Sequence, residues 1–468
     1  MGNYTYQVNV SADHGAQHCI DHHAGAKTGF LTQNGRKQRR AGAKKWMVDC
    51  IGGPAEYRCG SLLGGGDAAW GAPSSDCQSG RLCLQRPRQV APPPGGYMHQ
   101  PPFRADHVGS FLRPPRLLEA REKFFVGTVN ADELRAIEDE CILEVVEHQE
   151  RAGLNGVTDG EFRRTYFHID FLERLAGVHT HYGEFAAKFR KDDGSEVGFK
   201  PPTMHVESKI AHAAPIQGAD FDFLKSVTSK TPKVCIPAPS MLHFRGGRDA
   251  ISAGVYPQLE DFYDDLTAAY RAEIADLAAR GCRYLQFDDT NLAYLCDPAI
   301  RERTKARGDN PDDLARLYCK LVNDSIRGRP KDMTISVHLC RGNFKSAWVA
   351  QGGYEPVAEI LLNEMKIEGF FLEYDDERSG DFAPLRFTPK GVTIVLGLMS
   401  SKHAAAEGKD EVKRRIDEAA RYVPLEQCAL SHQCGFSSTA HGNDLTDADQ
   451  WIKLARLVEI AKDVWADA

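Results

Sequence analysis

Hydrophobic and polar positions divide this chain into two textures. From about residue 98 onward, short apolar runs bounded by Gly, Pro or charge alternate with longer amphipathic stretches. The runs are "ADHVGS" (105–110), "GVTDGE" (156–161), "KVCIPAPS" (233–240), "RYLQFDD" (283–289), "TISVHLC" (334–340), "GFFLEYD" (369–375), "VTIVLGL" (392–398) and "CALSHQC" (428–434). Each has the length of a strand covered on both faces. The intervening stretches carry helical spacing. In 134–153, Ile137, Cys141, Val145 and His148 recur three to four apart. The stretch 259–281 closes on Gly281, a residue suited to a left-handed C-cap. In 447–465, Trp451, Leu454, Leu457, Val458 and Ala461 share one face.

This alternation predicts an α/β protein with a parallel sheet wrapped by helices. Eight strand candidates in about 370 residues predict a (β/α)8 TIM barrel, with an open doubly wound sheet as the alternative. The interval 162–232 exceeds one helix and contains "PPTMHVESKI". An insertion carrying a small hairpin or lid is therefore expected after strand two.

Residues 1–97 read differently. "GRKQRRAGAKK", "SLLGGGDAAWGAP" and "PRQVAPPPGGY" are rich in Gly, Pro and basic residues and lack a sustained period. A low-complexity, disordered extension is expected there, followed by the folded α/β barrel domain over 98–468. The "GRKQRR" cluster fits a nuclear signal or a solvated basic run. The five cysteines of this segment (Cys19, Cys50, Cys59, Cys77 and Cys83) lack zinc-finger spacing. The opening "MGNYTYQVNVSADHG" has no basic stretch followed by an apolar one, so no secretory leader is expected.

Composition narrows the partners. Hydrophobic residues make up 42%, enough for a sizeable core. A formal net charge of −7 gives no reason to expect nucleic acid. No apolar run reaches membrane-spanning length. Thirteen cysteines, an odd count in a long chain, point to free thiols in a reducing, cytoplasmic setting rather than to a disulfide framework.

A barrel places reactive residues at the carboxyl ends of its strands. Here those ends carry Gly109-Ser110, Asp159-Gly160-Glu161, Pro239-Ser240, Asp288-Asp289, His338-x-Cys340, Glu373, Ser400-Ser401-Lys402 and Cys434. His338 and Cys340 are two apart, so on a strand they point to the same side. With Glu373 and Cys434 they offer one nitrogen, one carboxylate oxygen and two thiolates, a set suited to Zn²⁺. Singly, each residue also fits a plainer role. A buried Cys packs as a small hydrophobe, a strand His is hydrogen-bonded in the core, and Glu373 pairs with an Arg.

The motifs "HVGSF", "GVTDGEFRR", "IPAPSMLHFRGG", "LQFDDTNLAYL", "VHLCRGN", "FFLEYDDERSGDFAPL", "LGLMSSK" and "CGFSS" run in order through 98–468. Together they resemble the catalytic barrel of the cobalamin-independent methionine synthase family, in its short single-barrel form. The resemblance implies a zinc-dependent methyl transfer to the thiol of homocysteine, with Zn²⁺ on His338, Cys340, Glu373 and Cys434. It implies that Gly109 and Ser110 hold the homocysteine carboxylate, and that Glu161 and Asp288 hold its ammonium. Ser240 is a further candidate substrate contact. The family's methyl donor is 5-methyltetrahydrofolate, whose amine leaves only when protonated. The long enzymes place a His near the end of strand seven. Lys402 stands at that position here, with His403 beside it, and both are candidates for the acid. A solvated helix start explains both equally. Other readings stay open: a sibling enzyme with another thiol or a corrinoid donor, a decarboxylase on the same barrel, or a non-catalytic barrel braced by zinc.

Overall fold

The apolar runs enter one parallel sheet. The structure is a computed structural model describing residues 100–182, 187–191, 193–200 and 202–468. The chain divides into two units, Met1–Arg86 and Pro87–Ala468, and the fold described is that of the second. The extension expected over 1–97 lies outside the described residues.

In chain order the strands are β1 (Gly156–Val157), β2 (Ala176–His181), β3 (Ala187–Arg190), β4 (Glu196–Phe199), β5 (Thr203–Ala211), β6 (Thr231–Pro237), β7 (Tyr284–Asp289), β8 (Thr334–Leu339), β9 (Gly369–Glu373), β10 (Thr393–Met399) and β11 (Cys428–His432). Seven of them form a sheet in the order β1-β6-β7-β8-β9-β10-β11. Every neighbouring pair is parallel. The result is an α/β fold with a curled parallel sheet of the TIM-like kind. The interval between β1 and β6 holds two antiparallel pairs, β2 with β5 and β3 with β4.

The first apolar run differs from expectation. Residues 105–110 make no regular strand; only Ala105 bridges to Leu430 of β11. The reason lies in Asp106, whose carboxylate accepts the backbone N–H of Phe103 (3.1 Å) and of His107 (2.8 Å). Those donors are then lost to a ladder. The segment still spans both sheet edges. Asp106 N–H donates to Leu430 O at 3.0 Å on one side, and Thr158 Oγ1 donates to Gly109 O at 2.6 Å on the other.

The helices follow their sequence signals. Helix Ala131–Ala152 opens on a reciprocal capping box between Asn130 and Glu133 and ends on Gly153 at φ 91°. Helix Leu259–Arg280 ends on Gly281 at φ 100°. Helix Asp447–Val464 opens on a capping box between Thr446 and Asp449 and buries Leu454, Leu457, Val458 and Ala461. Between sheet and helices lies the main apolar core. A separate small cluster of Val108, Phe371, Val395 and Ala429 fills the space enclosed by the curled sheet.

That enclosed space also contains a buried ion pair. Lys233 of β6 donates to Asp106 Oδ1 at 3.1 Å, and neither side chain is exposed to solvent. Tyr284 Oη donates to Asp106 Oδ2 at 2.7 Å. The ammonium lies 4.2 Å from the centre of the Phe371 ring and 4.8 Å from that of Tyr284. Breaking such a pair strands a charge without solvent. Lys233→Met should therefore lower unfolding free energy by about 3–5 kcal/mol, read from urea unfolding of the full chain. An unchanged midpoint would show that the pair does not hold the segment in place.

Candidate functional site

Parallel registration brings the strand ends to one mouth. Asp288 of β7 lies opposite His338 of β8, and His338 lies opposite Phe371 of β9. Glu373 lies opposite Gly397 of β10. A cavity of about 740 Å³ opens there, lined by Ser110, Glu161, Asp288, His338, Cys340 and Cys434 among others. Part of its wall comes from Lys188, Phe189, Arg190 and Glu196, on the β3–β4 pair. Backbone hydrogen bonds in both directions (2.8 Å each) join Arg190 to Trp348 and fix that pair against the loop after β8.

Loop-to-loop contacts set the cysteine geometry. Asn343 Nδ2 donates to Gly435 O at 2.8 Å, tying the β8 loop to the β11 loop. Phe436 N–H donates to Ser110 O at 2.9 Å, and a methyl group at Gly435 would come within 2.0 Å of the Ser110 hydroxyl. The Cys340 and Cys434 sulfurs are consequently 3.4 Å apart. A His338 nitrogen and both sulfurs lie within 4.8 Å of one another. Neither nitrogen of the buried His338 ring makes a well-formed hydrogen bond to nitrogen or oxygen; the ring interacts with the Cys434 sulfur. An imidazole and two thiols, all buried and converging on one another, make a donor set that fits a soft divalent metal. Within the thiol pair, the hydrogen bond that Cys340 donates stabilises a Cys434 thiolate, and that charge in turn pushes the Cys340 thiol up.

Glu373 stands apart from this group of three. Its carboxylate sits in a cage of cations. Oε2 accepts Arg341 N–H at 2.9 Å. Oε1 accepts from Lys402 Nζ at 3.3 Å, with Arg378 at 3.7 Å. Lys402 and Arg341 hold the buried carboxyl below its ordinary value. The Arg341 guanidinium is itself locked by Tyr354 Oη (3.0 Å) and Gly352 O (2.8 Å).

A second cluster lies beside the thiols. A carboxylate oxygen from each of Glu161 and Asp288, and Cys235 Sγ, also fall within 4.8 Å of one another. Glu161 follows Gly160 in a left-handed turn, with φ 60° and 69° respectively, which aims its side chain inward. Its Oε2 is buried without a hydrogen-bond partner. Desolvation lifts the Glu161 carboxyl to about 8, opposed by Arg164 and reinforced by Asp288. Desolvation also lifts Asp288 to about 6, opposed by His338 and by a hydrogen bond from Gln286. Gly109 has φ 132°, and a Cβ there would stand 2.6 Å from Cys235 Sγ, so only glycine lets this turn approach β6.

Three sequence candidates sit elsewhere. Ser240 does not line the cavity. Its hydroxyl donates to Asp289 Oδ2 at 2.6 Å and accepts from Asn291 Nδ2 at 2.9 Å, so it braces the β7 end from beneath. Lys402 is buried against Glu373 and Asp375 (3.6 Å), and those carboxylates hold its ammonium above the ordinary lysine value. A proton held that tightly is poorly placed for donation. His403 is exposed, and its backbone bridges to Asp444. Conversely, His168, Phe244, Arg245, Tyr294 and Arg303 line the cavity without having been singled out. Phe244 and Arg245 lie in the "LHFRGG" motif, whose polar ending after an apolar strand was the available signal.

The fold and cavity thus define an α/β protein carrying a metal-capable thiol cluster at the carboxyl ends of a curled parallel sheet. Residues 103–462 match the family described as "Cobalamin-independent synthase, Catalytic domain", and the chain belongs to that family. It is 44% identical over 366 residues to uncharacterized protein YxjH of Bacillus subtilis (strain 168), spanning 78% of this chain and 95% of that protein. It is 23% identical over 345 residues to the 5-methyltetrahydropteroyltriglutamate–homocysteine methyltransferase of Thermotoga sp. (strain RQ2), spanning 73% of this chain but 42% of that longer protein. A crystal structure of a candidate vitamin-B12-independent methionine synthase from Listeria monocytogenes superposes with a TM-score of 0.63 at 37% identity, covering 79% of this chain and 99% of that one.

The raised carboxyls give a pH signature. A cation entering between Glu161 and Asp288 must displace the proton that the ligand-free pair retains. Affinity for a primary-ammonium ligand should rise between pH 6 and 8, by up to about tenfold per unit where one proton is displaced. Calorimetric titration in buffers of different ionisation heat checks both slope and proton release. A flat profile without proton release would refute this use of the pair.

Proposed function

We propose that this chain transfers a methyl group to the sulfur of homocysteine, forming methionine, with Zn²⁺ as cofactor and 5-methyltetrahydrofolate or a related compound as donor. One observation carries the reading: the thiol–imidazole cluster and the carboxylate pair share a single cavity. The first suits a metal and a sulfur ligand, the second an ammonium. An amino-acid thiol presents both groups on one small molecule. Membership of the cobalamin-independent synthase family supports the same chemistry.

His338, Cys340 and Cys434 would hold the metal, leaving a position for the substrate sulfur. Zn²⁺ bound there keeps a thiol ligand deprotonated near neutral pH, where a free thiol is mostly protonated. Glu161 and Asp288 orient the substrate through its ammonium. Ser110 and the backbone at Gly109 receive its carboxylate. Glu373, the fourth candidate ligand, would give up its Lys402 contact to join the metal ligands. The reading takes the curled sheet as a closed (β/α)8 barrel with the β2–β5 interval as its insertion, and places the protein in the cytoplasm. Among the described residues, no helix is long and apolar enough to cross a membrane.

The deciding experiment is a methyl-transfer assay on the zinc-loaded chain. It offers homocysteine and a thiol without an amino group against several methyl donors, with methionine detected by mass spectrometry. Preference for the thiol lacking an amino group would replace homocysteine by another acceptor. Two variants separate the parts of the reading. Cys340→Ser and Cys434→Ser should each lose most of the roughly one zinc expected per chain, by metal analysis; retention in both would remove the metal site. Asp288→Asn should keep zinc yet bind homocysteine about 10- to 100-fold more weakly, since it loses one charge-assisted hydrogen bond. Unchanged affinity would end the ammonium assignment.

A further inference from the structure

The insertion between β1 and β6 carries metal-ligating side chains that take no part in the cavity. β2 reads Ala-Gly-Val-His-Thr-His, and β5 opens on Thr-Met-His-Val-Glu. Each strand thus holds two donors at i and i+2, which point to the same side: His179 and His181 on β2, His205 and Glu207 on β5. The antiparallel register sets His179 directly opposite His205 and His181 opposite Thr203, so all four donors share one face. Alternation decides which face that is. Val178, Met204 and Val206 are buried in the main core, while the four donors are exposed or partly exposed on the other side. None of the four lines the cavity.

These side chains already meet. The His181 and His205 rings lie with centroids 4.6 Å apart, and His181 Nε2 is 2.7 Å from Glu207 Oε1. Directly opposite residues of an antiparallel pair have Cβ atoms about 4.5–5.5 Å apart, which brings His179 within reach of His205. Lys209, further along β5, is drawn away to Asp265 at 3.5 Å and over the Tyr256 ring. An ion pair with Glu207 needs one imidazole. Three imidazoles on one face of a two-stranded ladder repel when protonated, and a shared metal turns that repulsion into attraction. Imidazole with carboxylate suits Zn²⁺, Ni²⁺ or Cu²⁺. The donors are less tightly gathered than the thiol–imidazole group at the mouth. Closing them on an ion takes only rotamer changes of surface side chains, with the strands kept in register.

We propose that His179, His181, His205 and Glu207 form a surface metal site, separate from the thiol cluster, that takes a divalent transition ion of borderline softness and clips β2 to β5. His181 ends β2 and its partner Thr203 opens β5, so the ion sits where the chain leaves for the β3–β4 pair. Lys188, Phe189, Arg190 and Glu196 of that pair wall the cavity, and the clip holds the root from which they project. The site does not depend on the methyl-transfer reading, since it contains no thiol and no proposed substrate contact.

The test titrates the full-length, zinc-loaded chain with Ni²⁺ and, separately, with further Zn²⁺, following heat, metal content and backbone hydrogen exchange. An ion beyond the thiol-bound zinc should bind with a Kd of about 1–100 μM and slow exchange in β2 and β5. His181→Ala and His205→Ala should each weaken that binding about tenfold or more and remove the added protection. Thiol-bound zinc and homocysteine affinity should change less than about twofold in both variants. Thermal unfolding without added metal checks that the variants fold, and His205→Gln, which keeps a polar side chain on the surface, repeats the test with less disturbance. Equal affinity and protection in wild type and variants, or protection confined to other segments, overturns the site. So does wild-type binding weaker than about 1 mM. Variants that unfold at lower temperature yet bind the ions as wild type does also overturn it, and leave His181 and Glu207 as a structural ion pair.

Discussion

The architecture depends on one buried carboxylate. Asp106 gathers four donors: two backbone N–H groups of its own loop, Tyr284 Oη from β7 and Lys233 Nζ from β6. The segment it anchors has almost no ladder of its own, yet it occupies the gap between the sheet edges β11 and β1. Without that anchor both edges would present unpaired backbone groups. With it, Ser110 reaches the cavity and in turn pins the loop that carries Cys434, while Gly109 turns back beside Cys235. A charge pair at the closed end of the sheet thus sets geometry at the open end.

Burial then does chemical work at the mouth. Low dielectric makes every unpaired charge costly, so the arrangement of pairs decides what each group is free to do. Glu373 is surrounded by Lys402, Arg341 and Arg378 and is held ionised. The Glu161–Asp288 pair makes no direct ion pair among the described residues, and desolvation outweighs the more distant Arg164, Arg113 and His338 and pushes its carboxyls upward. These raised values make the ligand-free fold lose stability as pH rises from about 4, through about 6 for Asp288 and about 8 for Glu161, because over that range the folded state binds protons more tightly than the unfolded chain. The strain is localised where a cation would relieve it, as expected of a binding site rather than of a structural ion pair.

Much of the frame was legible because it follows local rules. Capping boxes at Asn130 and Thr446 and left-handed glycines at 153 and 281 mark helix ends that the period already announced. The i, i+2 spacing of His338 and Cys340 put both on one side of β8, whatever the partners were. The fate of Lys402 and Ser240 was illegible. Nothing in "LMSSKHA" says that the lysine turns toward Glu373 and Asp375, and nothing in "PAPSM" says that the serine is taken up by Asp289 and Asn291. Those partners lie roughly 30 to 50 residues away in the chain, and only packing selects them.

What the sequence determined by itself was periodicity and its consequences: the strands and helices after the first apolar run, which residues reach strand ends, and that soft ligands and carboxylates crowd there. Those properties depend on neighbours within a few positions, where backbone geometry is nearly fixed. Tertiary structure alone decided the pairings. It placed two sulfurs 3.4 Å apart across 94 positions of sequence. It surrounded Glu373 with three cations and turned His338 toward the Cys434 sulfur. Electrostatic and hydrogen-bond partners are chosen by distance in space, and that distance exists only once the sheet has curled.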